Sequence, residues 1–466
     1  MPRFWSLVAA VATALAVAAP ALADGSAQSP SPLSLAQAVD FALAHNASVL
    51  QAQAQVASAG SVLARDRSLE LPLIAGQAQS VLDRQSANNA GSLAQFGLRP
   101  SPNFSQNTAQ LLGSQNVLNL TDTLQAKQAK HAYDSTVENL RLAREQVTLN
   151  VDSGYYALVQ NSNIAALDRS DELYQRALLQ IAQANFKAGR VAGIDTLKAQ
   201  VQLTTAQERH ASALADVADA GENLGQVIGA PPGTSFIIAA TVPQPEPKTT
   251  DLAVLRATAL ANRPEVAIAG ANLQNALLSN GLVDAPNLPS VALNGGYGNQ
   301  VSPTTNAAFV DQCIASNNNP NRPPTIPIQN CSPGTSHFYN IGLTSTWTLP
   351  IVDWGATHAA HRSAYSAIDQ QRAALDLARN QTTVDVDQAV RRLQVDKENV
   401  GLAQANARLA KQAADIAQVQ YRLGVISQVD VTSAEQSYQQ AARDLLAAQV
   451  GYALAVDKVE LATGSL

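Results

Sequence analysis

Charge is scarce in this chain. Asp, Glu, Lys and Arg make up 14% of 466 residues, against about 25% in an ordinary soluble domain, and Gln, Asn, Ser and Thr supply the polarity instead. Aromatic residues account for 5%, and there are two Cys, one Met and six His. So little sulfur and imidazole argues against a multi-metal or thiol-redox centre, so no metal and no cofactor are expected. The 36 acidic residues outnumber the 30 basic ones, for a net charge of −6, which leaves no basic face for a nucleic-acid partner. A Gly-rich phosphate loop and a Gly-x-Ser-x-Gly elbow are both missing. His358 and His361 stand three apart on a predicted helix without a third metal ligand, and Asp385 and Asp387 read as solvated charge on different helix faces. No enzyme is expected. Long hydrophobic runs are also lacking beyond residue 24, so any membrane insertion must use strands.

What is present begins with an export signal. Arg3 precedes an apolar run, residues 4–19, followed by Pro20 and Ala21-Leu22-Ala23. The run falls below the ~20 residues of a spanning helix, so residues 1–23 read as a cleaved signal peptide. No Cys follows Asp24 directly to carry a lipid.

The remainder is a duplication. Phe186, Gly189 and Asp195 recur as Tyr421, Gly424 and Asp430 at an offset of 235 (421 − 186), and Gly229 recurs as Gly464. Nearer the start, Leu35 recurs as Leu252 and Ala42 as Ala259, at an offset of 217 (252 − 35). The second copy therefore carries 18 more residues (235 − 217), placed between these blocks. The expected organisation is a first repeat over 24–230, a Pro-rich linker over 231–249 lying against the helices, and a second repeat over 250–466. Each repeat reads as short helix, two strands, long helix, short helix. Leu402, Leu409, Ile416 and Leu423 fall every seventh residue, as do Leu167, Tyr174, Ile181 and Ala188, and then Leu445, Tyr452 and Val459. This period predicts coiled-coil packing with Leu409 in the seam. Residues 122–187 and 355–422 contain no Pro, and at 1.5 Å per residue each spans about 100 Å. Such helices build a rod or the wall of a tube.

Glycines at Gly189 and Gly424 mark helix reversals. Val191, Val425 and Ile426 would expose small apolar surface at these tips, an interaction signal, whereas Phe186 and Tyr421 read as packed. In the second copy Tyr339, Ile341, Leu343, Trp347, Leu349 and Ile351 alternate with small polar residues, and Val291, Leu293 and Tyr297 give a preceding strand. Weaker strands are expected near 72–80 and 107–118. Period-two alternation puts the apolar set on one face, and no second sheet is available to cover it. Lipid would cover it in an outer-membrane barrel, but four strands cannot close one, since single-chain barrels start at about eight. Several chains must share the wall. Cys313 and Cys331, in the Asn- and Pro-rich segment 299–337 of an exported protein, read as a disulfide within one loop.

The duplicated unit, the Tyr421-x-x-Gly424-x5-Asp430 tip and the run from Trp347 to Gly355 resemble the TolC family of outer-membrane efflux proteins across residues 33–464. The resemblance implies an α+β membrane protein. In it, a homotrimer shares a β-barrel in outer-membrane lipid, four strands per chain, above a long coiled-coil α-helical tube in the periplasm. It implies a periplasmic adaptor at the tips, with Gly189, Val191, Gly424, Val425 and Ile426 as contact candidates, and an inner-membrane transporter as the energy source. The expected function is the exit duct of a tripartite pump for small toxic compounds or drugs. The alternatives are the duct of a type I protein secretion system and an exported coiled-coil scaffold or adaptor. In the family, aspartates ring the closed mouth of the tube. Asp430 takes the first such position and is the lumen-gate candidate, while Ser433 stands where some members carry the next. Asp430 as gate and Asp430 as helix cap both stay open; Asp195 reads as a cap only.

Overall fold

The structure, a computed structural model, describes residues 33–84, 103–189, 191–234, 236–238, 241–247, 249, 251–301, 314–315, 317–318, 320, 335–423 and 425–466. The expected signal peptide, the Cys313–Cys331 pair and Gly424 lie outside the described residues. The elements run α1 (Leu35–His45), α2 (Ala47–Ser68), β1 (Leu73–Arg84), β2 (Asn103–Leu118), α3 (Leu120–Lys187) and α4 (Gly193–Ile228). They then repeat as α5 (Leu252–Asn262), α6 (Pro264–Asp284), β3 (Ser290–Val301), β4 (Thr335–Thr346), α7 (Ala356–Arg422) and α8 (Gln428–Thr463).

Each repeat opens with two short helices, not the one expected. Asn46 divides the first pair, its side chain accepting from the Ser48 N–H at 2.8 Å. Pro264 divides the second, starting α6 at its first position, where the missing N–H costs nothing. The long helices hold 68 and 67 residues, about 100 Å each. Side chains start both. Asn119 accepts from the Thr121 N–H at 3.0 Å, and Asp353 accepts from the N–H groups of Gly355 and Thr357, both at 3.0 Å. Hydrogen bonds from the Thr357 side chain and these two N–H groups hold the Asp353 carboxyl down to about 2.

The core obeys the duplication residue by residue. Val151, Tyr155, Leu158, Ala220 and Leu224 are buried in a cluster closed by Ala38 and Ala42 of α1. Val386, Val390, Leu393, Ala455 and Val459 occupy the corresponding positions in a second cluster closed by Leu255 and Ala259 of α5. Each repeat is thus a helical hairpin, α3/α4 or α7/α8, with a short helix laid across it. At the end of each hairpin a glycine presses on that helix. A Cβ on Gly229 (φ +80°) would lie 2.9 Å from the His45 carbonyl oxygen, and one on Gly464 (φ +66°) would lie 3.0 Å from that of Asn262. Only glycine meets both the left-handed backbone and the close approach. The linker lies against the helices, with Phe236, Ile238 and Val242 packed on the first cluster and Leu33 bridged to Ile238.

The hairpins join through α3 and α8, so the helices form one layer in the order α4–α3–α8–α7. Within that layer the expected Leu seam is not the packing face of the chain. Ala407, Ala414 and Ala417 are buried on α7, while Leu402, Leu409, Ile416 and Leu423 are 58–73% exposed. Small residues permit close helix approach, so they take the seam, and the larger side chains are displaced to the opposite face of α7. Exposed Ile194, Leu197, Val201 and Leu214 line α4 at the other edge.

The four strands form one antiparallel sheet in the order β1-β2-β3-β4. Leu111, Tyr297 and Tyr339 share one register row, Leu293 and Leu343 another, and Ile341 stands with Gly295 between them. This face is uncovered, with Tyr339 and Ile341 each 87% exposed. The opposite face carries Gln77 bonded to Gln110 at 2.8 Å and Asn294 bonded to Thr344 at 3.3 Å. β4 ends at Thr346, short of the expected Trp347, Leu349 and Ile351, because Pro350 has no N–H for a ladder. Trp347 instead donates to the Asn287 carbonyl at 2.9 Å. Among the described residues no helix is long and apolar enough to cross a membrane.

Candidate functional site

The expected functional residues lie at the two hairpin turns, at the end of the helices remote from the sheet. In the first turn Gly189 takes φ +69° and its N–H donates to the Phe186 carbonyl at 2.9 Å. Val191 is half-buried and Phe186 half-exposed. The cap residue of α4 is Ala192, which offers no side-chain bond. Asp195, half-buried in the first turn, therefore answers the free N–H groups with charge alone.

The second turn is built differently. The Ser427 hydroxyl accepts from the Asp430 N–H at 3.3 Å, and Asp430 Oδ2 accepts from the Ser427 N–H at 3.1 Å and from its hydroxyl at 2.8 Å. This reciprocal capping box fixes the carboxylate at the start of α8, where it stays exposed. Cap and exposed anion therefore coexist in Asp430. Val425 is 68% exposed. Ile426 is not: it packs with Leu178, Ala417, Val431, Tyr174 and Tyr421, because this cluster joins the two hairpins at their tips. Gln428 is buried there as well, and with its amide nitrogen turned toward α4 it donates to the Asp195 carbonyl at 3.0 Å.

Above the tips the α3–α8 seam is polar, which the heptad reading missed. Asp168, Asp171 and Gln175 are buried on one face of α3. Arg209 of α4 reaches Asp171 at 2.9 Å, and Arg443 of α8 pairs with Asp168. The spacing of three and four between these polar positions is itself a helical-face signal, visible once Leu and Ile are not assumed to mark the seam. Higher up, Asp152 is buried across from Asp457 and Glu460 of α8. Burial first, and then these two carboxylates, push Asp152 up to about 7, and burial with Glu460 raises Asp457 to about 6. Near the tips burial, followed by the charge of Glu435, pushes the Tyr174 hydroxyl up to about 12.

The side chains first read as solvated are also partnered. Asp385 pairs with Arg263 and Asp387 with Arg256, both at 2.6 Å. His361 meets Asn280 Oδ1 at 3.1 Å and Asp284 Oδ1 at 2.9 Å. These bonds fasten α5 and α6 to α7.

Residues 255–465 match the family described as outer membrane efflux protein. The match covers the second repeat, 211 (465 − 255 + 1) of the 466 residues. That repeat is thus similar to outer-membrane efflux proteins. The fold is that of solved channels at low identity. The CmeC outer membrane channel of Campylobacter jejuni is 18% identical, with a TM-score of 0.71 over 92% of this chain and 85% of that one. VceC of Vibrio cholerae is 16% identical, with a TM-score of 0.70 over 92% and 96%. The MtrE channel of Neisseria gonorrhoeae, in its open state, is 18% identical, with a TM-score of 0.67 over 92% and 88%. No curated protein matches the chain in sequence.

Proposed function

We propose that this chain is an outer-membrane efflux channel and works as a homotrimeric exit duct, passing small toxic compounds or drugs delivered by an inner-membrane transporter through a periplasmic adaptor. The observation that carries the reading is a pair of matched, unsatisfied edges on one chain. Strands β1 and β4, 12 residues each, are the outer strands of the sheet, and apolar rows on α4 and α7 lie exposed at the two margins of the helical layer. An edge that pairs with the opposite edge of the next copy makes a head-to-tail contact, which closes into a ring. Two copies would give eight strands, whose interior side chains just fill, so an open duct requires at least three, with twelve strands. Lipid then covers the apolar sheet face and water the Gln- and Asn-lined one.

In such a ring Asp430 repeats at the mouth of the tube. Three carboxylates in a narrow mouth favour cations and repel anions, and the capping box holds each in place. Gly189, Val191 and Val425 lie at the tips that meet the adaptor, with Val425 the most exposed apolar contact. The test is accumulation of a fluorescent efflux dye in cells lacking the chain and in cells complemented with it. Restored efflux in the complemented strain is expected. Unchanged dye accumulation together with a lost secreted protein would overturn the small-molecule assignment in favour of protein secretion.

A further inference from the structure

The Gln- and Asn-lined face of the sheet carries an aromatic ring. Phe338 of β4 stands in register with Gly298 of β3, which pairs in turn with Gln110 of β2. Successive strand residues alternate between faces, so Phe338 shares the polar face with Asn340 and Thr344, opposite Tyr339 and Ile341. Its ring reaches over Gly298, where a Cβ would come 2.5 Å from Phe338 Cζ and 2.8 Å from Gln110 Cβ. Gly298 is consequently buried, alone among the described strand residues. Beside it Leu112 of β2 and Asn340 of β4 lean over Gly296, with Leu112 Cδ2 3.3 Å and Asn340 Oδ1 2.6 Å from a Cβ built there. Two glycines two apart on β3 thus clear a seat for a phenyl ring and an isobutyl group, on a wall that elsewhere presents the Gln77–Gln110 and Asn294–Thr344 pairs. Core packing does not account for the ring, which stays half-buried. Gly298 lies eight residues beyond Ser290, where β3 starts, or about 27 Å along the strand, so the patch sits toward the end of the sheet remote from the helices.

We propose that Phe338, with Leu112 beside it, is a contact site for the flat aromatic part of a cationic solute passing through the duct. This rests on the exit-duct reading above, in which the Gln- and Asn-lined face bounds the water and the patch recurs once per copy at one height. The face of a phenyl ring attracts cations and stacks with other rings, and the amides of Gln110 and Asn340 offer hydrogen bonds to polar substituents. In the same reading the exposed Asp430 carboxylates at the far mouth favour positive charge. Both ends of the duct therefore prefer a cation, and the Phe338 end adds the preference for an aromatic one. A shallow, half-open contact suits passage, since a conducting site must release what it binds.

The test is planar-bilayer recording on the detergent-purified full chain, with 9-aminoacridine as a planar aromatic cation and tetramethylammonium as a cation without a ring. In the wild type 9-aminoacridine should cause brief, concentration-dependent interruptions of the current, and tetramethylammonium none. Phe338→Ser should raise the half-blocking concentration about three- to tenfold, the span of one lost aromatic contact. Phe338→Tyr should keep it within about twofold, and Phe338→Leu, which fills the same seat without a ring, should behave like Phe338→Ser. Equal block in the wild type, Phe338→Ser and Phe338→Leu overturns the site, and so does tetramethylammonium blocking as well as 9-aminoacridine. A preparation that gives no current steps overturns the duct and the site together, whereas steps that 9-aminoacridine leaves unchanged overturn the site and leave the duct standing.

Discussion

Replacing Arg443 by Ala leaves Asp168 charged, 3% exposed and without its partner, on the seam that joins the two hairpins. Removing one member of a buried pair costs about 3–5 kcal/mol, because the other charge stays desolvated. Arg443 is itself a quarter exposed, and water can reach part of the gap, so the lower end of that range applies. At 1.4 kcal/mol per factor of ten, about 3 kcal/mol is a change of about a hundredfold in the opening equilibrium of the seam. Amide hydrogen exchange read on the peptides of α3 and α8 measures that equilibrium locally. Arg443→Ala should speed exchange there by about this factor while the sheet keeps its protection. Arg443→Met combined with Asp168→Asn, which removes both charges, should recover most of the loss. Protection in Arg443→Ala within a factor of three of the wild type would mean that the pair holds nothing. Equal damage in the double variant would trace the effect to lost packing instead of the stranded charge.

Three further outcomes follow from the same contacts. Asp152, with a carboxyl ordinarily near 3.8 pushed up to about 7, binds a proton in the folded chain at pH values where the unfolded chain has released it. The stability that this carboxyl contributes is therefore fully present below pH 3.8 and is lost as the pH rises toward 7; Asp152→Asn should flatten this decline in thermal unfolding scans taken from pH 5 to 8, and an unchanged or steeper decline would contradict it. Leu409→Asp, at an exposed site in the single chain, should leave helix content by circular dichroism unchanged yet abolish the assembled species in light scattering, while an intact assembly would take Leu409 out of the contact between copies. Ser427→Ala removes half of the capping box and should cost about 1 kcal/mol, seen as faster exchange confined to the first turn of α8; no change there would mean that Asp430 alone caps the helix.

Several of these features were legible in the sequence because they depend on local spacing. The duplication, the helix lengths, the reversal at Gly189 and the apolar face of β4 rest on periods and offsets, and the cores at Val151 and Val386 sit where the offset of 235 puts them. The Leu409 row misled because a seven-residue period says which residues share a helix face and not which neighbour covers it. Ala407, Ala414 and Ala417 also recur at short intervals, and in an Ala-rich chain they do not stand out. The pairing of Asp168 with Arg443 joins residues 275 positions apart, which no local pattern announces. Sequence alone puts Ile426 at an exposed tip for the same reason: its partners Leu178 and Tyr174 come from the other repeat. At the tips the sequence allows Asp430 as a gate or as a cap; the capping box with Ser427 shows the cap, and the carboxylate it orients stays exposed.

If several copies of this chain enclose a conducting pore with an acidic mouth, planar-bilayer recordings of the detergent-purified protein should show it, for the wild type and for Asp430→Asn. Discrete, small, cation-preferring conductance steps are expected, with the preference reduced in the variant. Protein that stays soluble without detergent and gives no steps would contradict the pore, and steps with an unaltered ion preference would reduce Asp430 to a helix cap.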